Sequence, residues 1–248
     1  KCSIAYQRGV LMLSVDITKN LPDFSLSIRF SIERDIFVLF GPSGCGKTTT
    51  VRIMAGILGA DSGDTFILGQ KMPDLDLMCQ IGYMAQADAL YGMLSGYENL
   101  KFFGEVYGMK NKELKARIDY VMSLVNLTED LHKPVSAYSG GMKRRLSLAI
   151  ALLPNPKVLI LDEPTVGIDP LLRQDVWEEL YGLANKGVSL IVTTHVMDEA
   201  VKCQRISMMR DGRILATGTP IEILAKTDTT DLEEAFIKMG REGIVYES

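Results

Sequence analysis

Histidine is nearly absent from this 248-residue chain, at two residues, and cysteine is sparse, at four: Cys2, Cys45, Cys79 and Cys203. The cysteines are widely spaced and form no Cys-x-x-Cys, which speaks against a zinc cluster and fits a reducing, cytosolic setting. No apolar run approaches the roughly 18 residues that a membrane span needs. The runs "IALL" and "VLILDE" are long enough only for core elements. A basic excess is also missing: 27 Lys and Arg against 31 Asp and Glu give a net charge of -4, so no nucleic-acid partner is expected. Low-complexity linkers, internal repeats and a signal-peptide pattern are absent too. The chain opens on Lys1, and Met12 is a candidate natural start. These absences together point to a soluble protein, with a membrane partner left open.

The composition that remains, 47% hydrophobic and 23% charged, is that of an ordinary globular protein. Strand-like and helix-like patterns alternate along it, which predicts an α/β fold with a mainly parallel central sheet. "FSLSIRFSIE" (24–33) alternates apolar and polar residues, as a half-buried antiparallel strand does. "DIFVLF" (35–40), "PKVLILDEP" (156–164) and "GVSLIVTTH" (187–195) are continuous apolar runs suited to buried strands. "RISMMRDGRILATG" (205–218) reads as a hairpin turning at Asp211-Gly212. Residues 87–150 carry helical spacing and caps instead, which predicts a helical subdomain inserted into one domain spanning 1–248. The ending "TDLEEAFIKMG" reads as a short amphipathic helix.

"LFGPSGCGKTTTVRIMAGIL" carries the strongest chemical signal. Gly41, Gly46, Lys47 and Thr48 fit G-x-x-x-x-G-K-[ST], after a predicted strand and opening a predicted helix. Glycines let backbone amides curl around a polyphosphate, a compact lysine charge meets the β/γ-phosphates, and a hydroxyl reaches a magnesium ion. The candidate nucleotide contacts are Gly41, Pro42, Ser43, Gly44, Cys45, Gly46, Lys47, Thr48 and Thr49. A thiol reagent at Cys45 is expected to block nucleotide entry. Asp162 ends the apolar run "VLILD", where ligands of open α/β sheets bind, and is the candidate carboxylate for magnesium alongside Thr48. Glu163 follows it and suits the task of orienting or deprotonating a water. His195 ends "SLIVTTH" and could donate to the γ-phosphate, or it could be a plain polar strand end. Gln86, after "IGYMA", could touch both magnesium and the attacking water. His132 receives no role.

A second anion trap lies in "AYSGGMKRRLSLAIALL" (137–153), where Ser139, Gly140 and Gly141 open a helix. Lys143, Arg144 and Arg145 read as a solvated face of that helix.

These motifs, in this order, resemble the ATP-binding subunit of ABC transporters over nearly the whole chain. "GPSGCGKT" resembles Walker A, Gln86 the Q-loop glutamine and "YSGGM" the signature. "LILDEP" resembles Walker B, Asp169 in "GIDP" the D-loop, and His195 the switch histidine. The resemblance implies a P-loop NTPase fold with an N-terminal antiparallel β subdomain, ATP and Mg2+ as ligands, and ATP hydrolysis with Glu163, His195 and Gln86 at the reaction. It implies head-to-tail pairing with a second copy or a paralogous subunit, so that Ser139, Gly140 and Gly141 bind the other chain's γ-phosphate. A membrane-spanning permease subunit is implied as well, which would place the chain on the cytoplasmic face of a membrane. "YSGGMKRRLSLA" is most similar to ABC-2-type drug and lipid exporter ATPases, and "ITKNLPDFSLSIRFSIERDIFVLFGPSGCGKTT" to molybdate-type importer ATPases; export is the expected direction. A soluble ABC ATPase of DNA repair or translation is the alternative, as is an importer ATPase. The family stacks an aromatic ring on adenine, for which Phe24 is the first candidate and Tyr6 the second.

Overall fold

The computed structural model describes residues 12–33 and 35–242; Tyr6 lies outside them. In chain order the strands and helices begin with β1 (Leu13–Asn20), β2 (Ser25–Ile32), β3 (Ile36–Phe40), α1 (Lys47–Met54), β4 (Ser62–Ile67), β5 (Gln70–Lys71), α2 (Leu75–Met78) and β6 (Ile81–Met84). Next come α3 (Gly96–Val106), α4 (Asn111–Leu124), α5 (Gly140–Leu152), β7 (Val158–Asp162) and α6 (Pro170–Asn185). The chain finishes with β8 (Ser189–Thr194), α7 (Met197–Ala200), β9 (Arg205–Arg210), β10 (Arg213–Gly218), α8 (Pro220–Thr227) and α9 (Leu232–Glu242). They fall into two compact units, one within Lys1–Asp74 and Ser189–Ser248, the other Leu75–Val188.

The first unit is built on strands in the order β5-β4-β1-β2-β10-β9-β3-β8. β1 lies antiparallel to β2 and to β4, while β3 lies parallel to β8 and to β9. The expected mixture of an antiparallel part and a parallel part is therefore present in this unit. Sequence pattern explains the division. β2 alternates exposed and buried residues along its whole length, so it presents one face to the core. β3 and β8 are buried at every residue, as strands covered on both faces must be. The 205–218 hairpin turns where expected: Asp211 and Gly212 have φ of 48° and 76°, the backbone that a tight two-residue turn requires. A Cβ on Gly212 would lie 2.3 Å from the Ser25 carbonyl oxygen, so only glycine fits there.

In the second unit β6 pairs in parallel with β7, from Ile81↔Val158 to Met84↔Leu161. The helices expected in 87–150 are α3, α4 and α5. A full capping box starts α3: Ser95 accepts from the Glu98 amide, and Glu98 accepts from the Ser95 amide. α5 packs so closely on β6 that a Cβ on Gly82 would lie 2.2 Å from the Ala151 oxygen. The chain's only tryptophan, Trp177, is fully buried on α6. Among the described residues no helix is long and apolar enough to cross a membrane.

Candidate functional site

In the first unit, β3 delivers the chain into the glycine loop. The parallel register sets Phe40 opposite Thr194, and the Gly41 amide donates to the Thr194 oxygen at 3.3 Å. The carboxyl ends of β3 and β8 are thus level, which brings exposed His195 beside the start of the loop. Gly41 has no room for a side chain, because a Cβ would lie 2.3 Å from the Met209 oxygen and 2.7 Å from Cys45 Sγ. Gly44 and Gly46 have φ of 81° and 106°, left-handed values that favour glycine. Pro42, Ser43 and Gly44 face outward, while Lys47 is only 4% exposed. The Lys47 ammonium curls back over the loop and donates to the oxygens of Gly41 (2.6 Å) and Pro42 (3.1 Å). α1 starts there with no side-chain cap and no acidic residue in its first turn, so its amides and dipole favour an anion. Thr48 and Thr49 occupy that first turn, half-buried.

The floor of the loop is held by the β9–β10 turn, whose Gly212 amide donates to the Cys45 oxygen at 3.0 Å. Phe24 packs on the same turn and loop: its ring lies 2.9 Å from where a Gly212 Cβ would be and 3.3 Å from a Gly46 Cβ. It is half-exposed, so a ring edge beside the loop remains accessible. Cys45 itself is buried, and burial pushes its thiol above the ordinary value. This corrects the expectation of a reagent-accessible thiol at the loop.

In the second unit, β7 ends on Asp162, which is fully buried, followed by Glu163 at 6% exposure. Glu163 has a φ of 52°, a left-handed conformation that a branchless glycine adopts freely and a glutamate does not. The Gln86 amide donates to Glu163 Oε2 at 3.3 Å, so these two predicted residues meet. Ser139 caps α5 by accepting from the Met142 amide at 3.2 Å, with Gly140 and Gly141 in the first turn. A Cβ at either glycine would meet nothing within 4 Å, and neither has a positive φ. Nothing inside this unit therefore requires glycine at 140 or 141. Asp169 caps α6, accepting from the Leu172 amide at 3.1 Å ahead of Pro170.

Residues 26–166, more than half of the chain, match the family described as ABC transporter. This chain belongs to the ABC transporter family. It is 36% identical over 234 residues to a probable multidrug ABC transporter ATP-binding protein, YbhF, of Escherichia coli, covering 90% of this chain and 40% of that protein. It is 38% identical over 205 residues to the Nod factor export ATP-binding protein I of Paraburkholderia xenovorans, covering 82% and 67%. The chain thus spans about two fifths of the length of the first of these relatives and two thirds of the second. A solved ATP binding subunit of an ABC transporter shares the fold with a TM-score of 0.84 at 24% identity, over 92% of this chain and 99% of that one. The α/β P-loop NTPase fold is the one expected.

Two features of this ABC protein depart from the sequence reading. Arg144 does not sit on a solvated face. It is 5% exposed, and its guanidinium donates to the carbonyls of Asp162, Glu163 (2.6 Å), Pro164 (3.3 Å), Ala85 (2.8 Å) and Gln86 (2.9 Å), and to Asp88 Oδ1 at 3.5 Å. Burial lowers the Arg144 pKa from the ordinary guanidinium value, while Asp88, Asp162 and Glu163 oppose that fall, and the guanidinium stays charged. Arg145, half-exposed like Lys143, donates to the Val125 (3.1 Å) and Asn126 (2.8 Å) oxygens. The signal was available in the spacing: Arg144, Leu148 and Ala151 fall at i, i+4 and i+7, on the buried stripe of α5. Asp88, which also accepts from Ser147 Oγ at 2.7 Å, is a second residue the motif reading passed over.

Among the described residues no group of three or more His, Cys, Asp and Glu gathers as a metal site. Magnesium, the ion the motifs imply, takes few protein ligands and completes its shell with water and phosphate oxygens. The donors Thr48 and Asp162 are oxygen donors of the right kind, with Asp162 fully buried at a strand end.

Proposed function

We propose that the chain is the ATP-hydrolysing motor subunit of an ABC transporter, pairing head to tail with a second copy or a paralogous subunit and acting with a membrane-spanning permease. In this reading the Gly41–Thr49 loop binds the phosphates and Lys47 neutralises the β/γ oxygens. Thr48, Asp162 and Gln86 are the magnesium ligands. Bound magnesium would supply charge neutralisation on the same oxygens. Glu163 orients the attacking water and accepts its proton, Gln86 shares that water, and His195 donates to the γ-phosphate. Phe24 is the ring offered to adenine. The observation that carries the pairing is the open first turn of α5. Glycine at 140 and 141 answers no need of its own unit, yet it leaves capped helix amides bare for close approach by an anion, here the other chain's γ-phosphate.

The permease partner is supported by apolar side chains left outside on and before α3. Tyr91, Met93, Phe102 and Val106 are 48%, 90%, 41% and 67% exposed, with the Tyr91 and Phe102 rings 5.0 Å apart. Docking there would hold the chain on the cytoplasmic face of the membrane. The multidrug and Nod-factor-export relatives support export as the direction.

The test is nucleotide binding and light scattering on single substitutions. Glu163→Gln should bind ATP, lose turnover and run as a stable pair in ATP, whereas Lys47→Ala should bind ATP poorly. Full turnover by Glu163→Gln, or a form that stays monomeric at saturating ATP, refutes the reading.

A further inference from the structure

Glu163 poses a conformational problem. A glutamate at a φ of 52° sits in the left-handed region that L side chains resist and persists only where its surroundings hold it. Its side chain accepts from the Gln86 amide at Oε2, and its backbone is held as well. The restraint comes from the backbone oxygens of Asp162, Glu163 and Pro164. These successive carbonyls all point at one buried guanidinium, that of Arg144. The opposite edge of the same guanidinium takes the oxygens of Ala85 and Gln86 and the carboxylate of Asp88. A planar fork with five N–H donors is the one side chain able to serve both groups at once. Lysine, with three donors on a single nitrogen, cannot.

We propose that Arg144 is a positioning residue for hydrolysis, fixing the left-handed turn that aims Glu163 and the Gln86 backbone in one rigid frame. The proposal rests on the reading of Glu163 as the water-orienting carboxylate. Arg144 touches no substrate in it and acts only through Glu163 and Gln86. The same helix carries Ser139 at its start, about 7.5 Å along the axis from Arg144. The turn bearing Glu163 is therefore tied to the helix whose first amides are offered to phosphate.

The experiment compares the full chain with Arg144→Lys, measuring kcat, ATP affinity by a fluorescent nucleotide, and Tm. Losses on removing groups that hold a reacting side chain run about 10- to 100-fold. Arg144→Lys should lose that much in kcat with ATP affinity changed less than about threefold, and should add no further loss in a Glu163→Gln background. A kcat within twofold of the unaltered chain overturns the proposal. So does a loss that adds fully to that of Glu163→Gln, or a fall in affinity and Tm in step with kcat, which marks a merely structural arginine. Asp88→Ala, on an exposed loop residue, covers the case of a lysine form that does not fold. A fall in kcat of about threefold or more at unchanged affinity is expected of it, and an unchanged kcat overturns the proposal. ATP turnover by the unaltered chain that survives Glu163→Gln refutes the functional reading itself, and the positioning role with it.

Discussion

At the residue scale, the glycine loop shows how one position can be decided by a single close approach. Gly41 is fixed by the Met209 oxygen 2.3 Å from a would-be Cβ, and Gly46 by a φ that L side chains resist. Cys45, lodged between them, is shut away by the same compaction, and burial raises its thiol. Cys203 is pushed up to about 12 by burial as well, whereas Cys79 is exposed. At pH 8 the thiolate, which is the reacting form, is therefore scarcest at the buried positions. Mass-spectrometric mapping after brief alkylation should find Cys79 labelled and Cys45 and Cys203 labelled only in denaturant, with or without ATP. Rapid, ATP-sensitive labelling of Cys45 would contradict the buried placement. Gly41, Lys47, Asp162 and Ser139 were legible in the sequence because each signal is local: a spacing, a strand end or a cap within a few residues. For Arg144 the spacing recorded its burial but not its partners, because Ala85, Gln86 and Asp88 lie 56–59 residues away in the chain. A run of basic residues gives no hint of that distance.

At the scale of elements, the two serine-capped helices of the second unit make a controlled comparison. Ser95 and Ser139 each accept an amide hydrogen bond at 3.2 Å from three residues ahead. Ser95 belongs to a reciprocal box with Glu98, while Met142 at the equivalent place in α5 cannot return the contact. Cap removal costs about 1 kcal/mol in either helix. Ser95→Ala and Ser139→Ala should therefore lower stability alike in urea titrations. Only Ser139→Ala should also cut ATP turnover, by about tenfold or more, because in the proposed reading its hydroxyl is offered to phosphate. Equal effects on turnover would reduce Ser139 to a cap. Elements defined by period and turn chemistry, such as β2 and the Asp211-Gly212 hairpin, were readable in advance. The parallel pairing of β6 with β7 was not, since the two strands are separated by three helices and nothing local records their register.

At the scale of the whole molecule, the proposed pairing places the open turn at Gly140–Gly141 against a second chain. Alanine is the better helix former by about 1 kcal/mol in a helix interior, and here it would meet nothing within 4 Å. Gly140→Ala should thus leave Tm unchanged or raise it, while turnover and ATP-dependent pairing fall. Stability and activity moving in opposite directions is the mark of a glycine kept for a partner; unchanged activity would remove that role. The sequence made the motifs visible but not which compact unit carries each. The loop and His195 belong to the unit formed by the two chain ends, and Gln86, Asp162, Glu163 and Ser139 to the unit between them.

The lone indole, sealed inside α6 at 1% exposure, has a practical corollary. Because Trp177 lies in the central unit and the unit made by the two termini has no indole, intrinsic emission reports melting of the central unit by itself. Paired with far-ultraviolet dichroism, which sees both units, it gives a label-free optical means of asking whether they come apart together or in sequence.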